Sequence, residues 1–397
     1  MKVNYRGGYR MKNTLTPALS YHRKHRGKLR ITPIGRLNDR QKLALAYTPG
    51  VAEPCLAIHQ HPELAYDYTL KGRIVAIVTD GSAVLGLGNI GPEAALPVME
   101  GKAALLYEFA KIEAFPLCLS TQDPQEIIET IIRLSPTFAA IMLEDISAPN
   151  CVLIERKLQE LCDIPVFHDD QHGTAIVVSA AVKNACRYLK KDLSKIKIVV
   201  SGTGAAGSNV CRMLSLLGAK HLYAYHKEGV ISFDNCANAD FVVKELLMQN
   251  IVQSPASSVS TLTDLLEGAD LFIGLSAPNL VTEAMVKRMA KDPILFALAN
   301  PTPEIMPESA KKAGAAIIGT GRSDYPNQIN NVLVFPGLMK GVLASKAKAV
   351  TLKMKLSAVE ALSGLVKDSE LSADYLLPDI FDSRVVDAIA NAVMKAA

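Results

Sequence analysis

The chain holds 397 residues, too many for one ordinary hydrophobic core, and so points to two domains or three. With 49% hydrophobic and 21% charged residues it is globular rather than disordered. Its net charge of +4 is too small and too dispersed for a nucleic-acid binder, and no apolar run reaches the ~18–20 residues of a membrane span.

Residues 1–10 are polar and irregular, and a second methionine stands at Met11. Arg6-Gly7-Gly8 can be encoded by codons containing AGGAGG, ending two codons before Met11, so translation is expected to start at Met11. An intact mass that includes Met1 would refute this. The N-terminus lacks the apolar core of a signal peptide. The basic cluster Tyr21-His22-Arg23-Lys24-His25-Arg26 reads as a solvated helix face. Seven scattered cysteines, odd in number and without a CxxC pair, fit reduced thiols and a cytoplasmic location.

From Ile74 onward, short apolar runs alternate with amphipathic stretches. Ile74-Val75-Ala76-Ile77-Val78-Thr79 reads as a buried strand, with helices near 94–110 and 124–134, a strand over 138–143 and a helix over 151–162. A second series begins at Ile196-Lys197-Ile198-Val199-Val200 and continues through apolar runs at 222–225, 271–275, 294–299 and 315–318. The expected fold is therefore α/β: an N-terminal α/β domain over 1–172, a Rossmann-like, doubly wound dinucleotide domain over 173–330, and a helical segment, 331–397, packing back on the first domain.

Gly202-Thr203-Gly204-Ala205-Ala206-Gly207 fits GxGxxG, follows a strand-like run and precedes an amphipathic helix. Gly202 permits the tight turn, Gly204 lets backbone approach a pyrophosphate, and Gly207 allows close helix–strand packing. A glycine-rich turn without a ligand is the alternative. About 20 residues on, where an acid normally holds the adenosine ribose, the chain has His226 followed by Lys227 and Glu228.

Three acids stand where strands should end. Glu144 and Asp145 follow one apolar run, and Asp170 follows Pro165-Val166-Phe167. Hard oxygen ligands in such loops suit Mg²⁺ or Mn²⁺; capping of the following helices is the alternative. His168 and His172 have a His-x3-His spacing, which keeps a zinc hydrolase in view, but Gly173 is expected to interrupt the helix such a site needs. Four glycines between Gly81 and Gly91 suggest close backbone approach. Lys102, amid small and apolar residues, is either a surface lysine or a buried one whose pKa burial would lower into the range of a usable base.

Taken together these segments resemble the short bacterial malic enzymes from about residue 14 to the C-terminus. The likeness rests on Tyr47-Thr48-Pro49-Gly50-Val51-Ala52, Thr79-Asp80-Gly81, Leu85-Gly86-Leu87-Gly88-Asn89-Ile90-Gly91, Met99-Glu100-Gly101-Lys102, Leu143-Glu144-Asp145, Phe167-His168-Asp169-Asp170-Gln171-His172-Gly173-Thr174-Ala175, Ala299-Asn300-Pro301 and Asn330-Asn331. The resemblance implies Glu144, Asp145 and Asp170 as metal ligands, Lys102 as general base with Asp169 beside it, and Tyr47 as general acid. It implies Asn300 and Asn331 as substrate contacts and Thr174 as a cofactor neighbour. The arginine that animal-type enzymes carry near Ala83 is missing. The implied reaction is oxidative decarboxylation of (S)-malate to pyruvate and CO2, with Mg²⁺ or Mn²⁺ and NAD or NADP, in a homodimer or higher homo-oligomer. A metal-dependent oxaloacetate decarboxylase on the same scaffold is the alternative.

Overall fold

The computed structural model describes residues 16–84 and 86–397; the proposed start at Met11 and the side chain of Leu85 lie outside them. Four strands make the first sheet: β1 (Ile74–Thr79), β2 (Glu113–Cys118), β3 (Ala140–Leu143) and β4 (Val166–His168), parallel and in the order β2-β1-β3-β4. Every residue of β1 is buried, as expected of a parallel strand covered on both faces. Its branched side chains each contribute roughly 1.5–3 kcal/mol by leaving water. The helices Pro92–Ala110, Pro124–Leu134 and Asn150–Leu161 match the expected segments to within two residues at each end.

The second sheet comprises β5 (Lys197–Ser201), β6 (His221–His226), β7 (Gly229–Val230), β8 (Leu271–Gly274), β9 (Ile294–Ala297) and β10 (Ile317–Thr320). Their order is β10-β9-β8-β5-β6-β7, and only the last pairing, β6 with β7, is antiparallel. The five expected strands are present. The sequence reading missed β2, whose Pro116 breaks a strand-like pattern at a sheet edge, and the two-residue β7.

One expectation is overturned at Gly173. The helix Asp169–Leu189 runs through it unbroken. A β-carbon there would lie 2.0 Å from Asp169 Oδ1 and 3.2 Å from Asn331 Cβ, so the glycine makes room for neighbours rather than ending the helix. This helix leaves the end of β4 and packs beneath the second sheet, its buried face joining Ile198, Val200 and Val210 in one core. The C-terminal helices Phe335–Ala344, Leu352–Gly364 and Arg384–Ala396 enter the same core and reach Val75, Met99 and Leu106 of the first sheet's layer. No described helix is long and apolar enough to cross a membrane.

Candidate active site

Register places the acids. Val78 pairs with Leu143, and Leu143 with His168, so the residues after β1, β3 and β4 emerge side by side at one carboxyl edge. Glu144, Asp145 and Asp170 each present an oxygen there, all within 4.8 Å of one another. The Asp145 backbone N–H donates to Asp170 Oδ2 at 2.8 Å, and the Ala83 N–H donates to the Asp145 carbonyl at 3.0 Å. Asp145 adopts a left-handed backbone (φ 53°), strained for a non-glycine residue and characteristic of built sites. Glu144 Oε2 is buried without a hydrogen-bond partner. Burial, reinforced by Asp170, pushes the Glu144 carboxyl well above its usual range.

Lys102, on the helix Pro92–Ala110, is buried rather than on the surface. Its ammonium bonds Asp169 Oδ2, lies 2.9 Å from Glu144 Oε1, and sits 4.6 Å from the centre of the Phe335 ring. The expectation that burial lowers its pKa fails here. Burial does oppose the charge, but Asp169 and Glu144 outweigh it and hold the ammonium above its ordinary value. Asp169 is itself pushed up by burial against the pull of Lys102.

At the second sheet, Gly202 follows β5 and Gly204 precedes the helix Ala205–Leu216, which no side chain caps. Its first N–H groups are thus free for an anion. A β-carbon at Gly202 would meet the Leu275 carbonyl at 2.4 Å and one at Gly207 the Gly202 carbonyl at 1.7 Å, whereas one at Gly204 would meet only Ala148 Cβ, 4.0 Å away. Thr203 Oγ1 is buried without a partner. Ala148 stands three residues after Asp145, so the glycine turn lies beside the loop that carries Glu144 and Asp145. His226 ends β6 and pairs with Gly229 across the turn Lys227-Glu228.

Comparison with known proteins agrees with this geometry. Residues 26–159 match the malic enzyme N-terminal domain, and residues 171–397 the malic enzyme NAD binding domain. The chain belongs to the malic enzyme family. It is 50% identical over 380 residues to the bifunctional malic/malolactic enzyme of Bacillus subtilis (strain 168), covering 96% of this chain and 92% of that protein. It is 46% identical to an NAD-dependent malic enzyme of Geobacillus stearothermophilus, over 94% of this chain and 77% of that one. The crystal structure of an NAD-dependent malic enzyme from Thermotoga maritima superposes with a TM-score of 0.90 at 46% identity, covering 96% of this chain and 99% of that one.

Within this malic enzyme fold, Asn331 opens a 3-10 turn and lies beside Gly173 and Asp169. Asn300 follows β9; a β-carbon at Gly86 would fall 1.7 Å from its carbonyl oxygen, which fixes why the loop after β1 is glycine-rich. Thr174 is half-buried on the helix Asp169–Leu189. Tyr47 is not brought to the cluster: it ends the helix Arg40–Ala46, is 65% exposed, and its hydroxyl has no partner among the described residues. The zinc arrangement is absent, because His172 Nε2 bonds Glu155 Oε2 at 2.9 Å while the His168 ring is enclosed. Glu155 also accepts the His168 backbone N–H at 3.0 Å, tying the start of the helix Asp169–Leu189 to the helix Asn150–Leu161. Sequence reasoning missed Glu155 and Phe335. Glu155 stands 17 residues before His172 on a different helix, with no local signal pairing them.

Proposed function

We propose that this chain oxidatively decarboxylates (S)-malate to pyruvate and CO2 while reducing NAD or NADP, with Mg²⁺ or Mn²⁺ held by Glu144, Asp145 and Asp170. The observation that carries the reading is the meeting of that acidic triad and the buried Lys102–Asp169 pair with an uncapped, glycine-rich helix N-terminus. All-oxygen donors and the unpartnered Glu144 Oε2 fit a hard divalent cation. When bound, the cation supplies Lewis-acid stabilisation of negative charge on the C2 oxygen, and the nicotinamide supplies the hydride acceptor. Lys102 takes the proton of the C2 hydroxyl, held in place by Asp169. It is the neutral amine of Lys102 that accepts this proton, and Asp169 and Glu144 hold its nitrogen in place. Asn331 and Asn300 orient the substrate, Thr174 borders the cofactor, and Gly202 to Gly207 cradle the pyrophosphate.

In this reading residues 1–172 form the catalytic domain, 173–330 the dinucleotide domain and 331–397 a helical closure, in a cytoplasmic homodimer or higher homo-oligomer. The unpaired state of all seven cysteines supports the location. The dimer is supported by the segment 16–73, in which no residue is buried, while Ile31, Ile34, Leu45 and Leu56 stand exposed. This arm is anchored near its ends, by the Lys28 N–H to Glu100 at 3.0 Å and by Lys71 Nζ to the Phe138 carbonyl at 2.9 Å. A second copy covering the arm would receive Tyr47 beside its own Lys102, where the phenol gives the proton to C3.

The test is malate-dependent reduction of NAD and of NADP with Mn²⁺, run beside oxaloacetate decarboxylation without cofactor. Reduction of either cofactor is expected. Rapid loss of oxaloacetate with no reduction of either cofactor would overturn the oxidative reading.

A further inference from the structure

Glu304 is wholly enclosed and has no cationic partner among the described residues. Its carboxylate instead accepts backbone N–H groups from two strand ends: Ser276, beyond β8, at 2.8 Å, and Ala299, beyond β9, at 3.1 Å. Ser276 Oγ in turn meets Ser201 Oγ, at the end of β5, at 2.9 Å. The side chain thus ties together the carboxyl ends of three neighbouring strands and sets the residue before Asn300. Space for it is built in: a β-carbon at Gly274 would lie 2.4 Å from Glu304 Cδ. A buried carboxylate without a counter-charge is costly: burial raises the Glu304 carboxyl above its ordinary value, while the Ser276 and Ala299 N–H groups and the Ser276 hydroxyl, at 3.4 Å, oppose that rise and stabilise the charged form.

The topology says which half of a dinucleotide meets it. The glycine turn after β5 marks the switch point, and the adenosine half goes to β6, where His226 stands. The nicotinamide half must then lie on the other side of β5, over the ends of β8 and β9, where Glu304 is. The oxidised ring is a cation and the reduced ring is neutral, while the phosphates are the same in both. We propose that Glu304 is a positioning residue for the nicotinamide half of the cofactor, and that its buried charge favours the oxidised ring over the reduced one.

This inference rests on the cofactor reading above, and the experiment separates the two. Dissociation constants for NAD⁺, NADH, NADP⁺ and NADPH are measured by calorimetry on the full chain, wild type and Glu304→Gln, without malate. The variant should shift the ratio of oxidised to reduced affinity by about tenfold toward the reduced form, the size expected of one buried charge at an effective dielectric of about 20. Glu304→Asp keeps the charge and should keep the ratio, even though its shorter reach weakens both forms. Equal weakening of both forms in Glu304→Gln overturns the inference but leaves the cofactor reading intact; failure of the wild type to bind any of the four overturns both. Should Glu304→Gln not fold, the wild type still decides: the oxidised form should bind at least as tightly as the reduced one, and a tenfold preference for the reduced form overturns the proposal.

Discussion

Replacing Gly173 by alanine should destabilise the protein and stop turnover, although inside a helix alanine is ordinarily favoured over glycine by ~0.5–1 kcal/mol. The added β-carbon would lie 2.0 Å from Asp169 Oδ1, 3.0 Å from its Cγ and 3.2 Å from Asn331 Cβ. Asp169 cannot step aside freely, because it is fully enclosed and its other oxygen holds Lys102. If the helix shifts instead, overpacking costs ~1–3 kcal/mol. If Asp169 swings away, a buried ion pair breaks at ~3–5 kcal/mol. Setting the helix gain against each route leaves a net loss of about 0–2.5 kcal/mol if the helix shifts and about 2–4.5 kcal/mol if the ion pair breaks, and in both cases the Lys102 ammonium moves relative to Glu144. Gly364 provides the control. It ends the helix Leu352–Gly364 and an added β-carbon meets no atom within 4 Å, so Gly364→Ala should gain up to ~1 kcal/mol. The assay is urea unfolding at fixed protein concentration, with Mn²⁺-dependent malate turnover measured on the same samples. If Gly173→Ala stabilises the chain as Gly364→Ala does and keeps its turnover, the close-packing argument is wrong.

Asp170→Ala should weaken Mn²⁺ binding, read by titration calorimetry, and abolish decarboxylation; exhaustive chelation should do the same to the wild type, and unchanged turnover after chelation would rule the metal mechanism out. Lys102→Ala and Tyr47→Phe should each lower kcat by ~10²–10⁴-fold at saturating malate. Because the arm is proposed to serve the second copy, mixing and re-annealing those two inactive variants should restore part of the activity; no recovery despite mixed dimers would confine Tyr47 to its own subunit or remove it from the chemistry. His226→Asp places a carboxylate at the end of β6, which accepts hydrogen bonds from the ribose and repels a 2′-phosphate, so kcat/KM should shift toward NAD. An unchanged NAD to NADP ratio would show that His226 does not face the ribose.

Much of the fold was legible because parallel strands buried on both faces leave continuous apolar runs, as Ile74–Thr79 and Ile294–Ala297 do. Edge elements carry no such signal: β2 includes Pro116 and is only half-buried, and β7 has two residues. The acids were legible as strand-end residues, but their convergence depends on the register of β1, β3 and β4, which no single segment encodes. The protonation of Lys102 was misjudged for a related reason. Local sequence suggested apolar surroundings, whereas the partners that decide its charge, Glu144 and Asp169, are 42 and 67 residues away along the chain and adjacent in space.

Gly173 and Glu304 share a physical lesson about where sequence signals mislead. Glycine in a helical pattern reads as a stop, and glutamates are in general exposed. Each inference takes the residue's own preference as decisive. In this protein the decisive quantity is the space left by another residue: Asp169 fills the gap at Gly173, and Glu304 fills the gap at Gly274. In both places a carboxylate is enclosed only because a partner position lacks a side chain. The two carboxylates also differ in what they meet. Asp169 is balanced by an ammonium that the chain itself supplies, whereas Glu304 meets backbone N–H groups and the Ser276 hydroxyl, all of them neutral. An enclosed charge that the chain does not balance is the one expected to act on a ligand's charge, which is why the ratio of oxidised to reduced cofactor affinity, rather than stability, is the measurement that tests it.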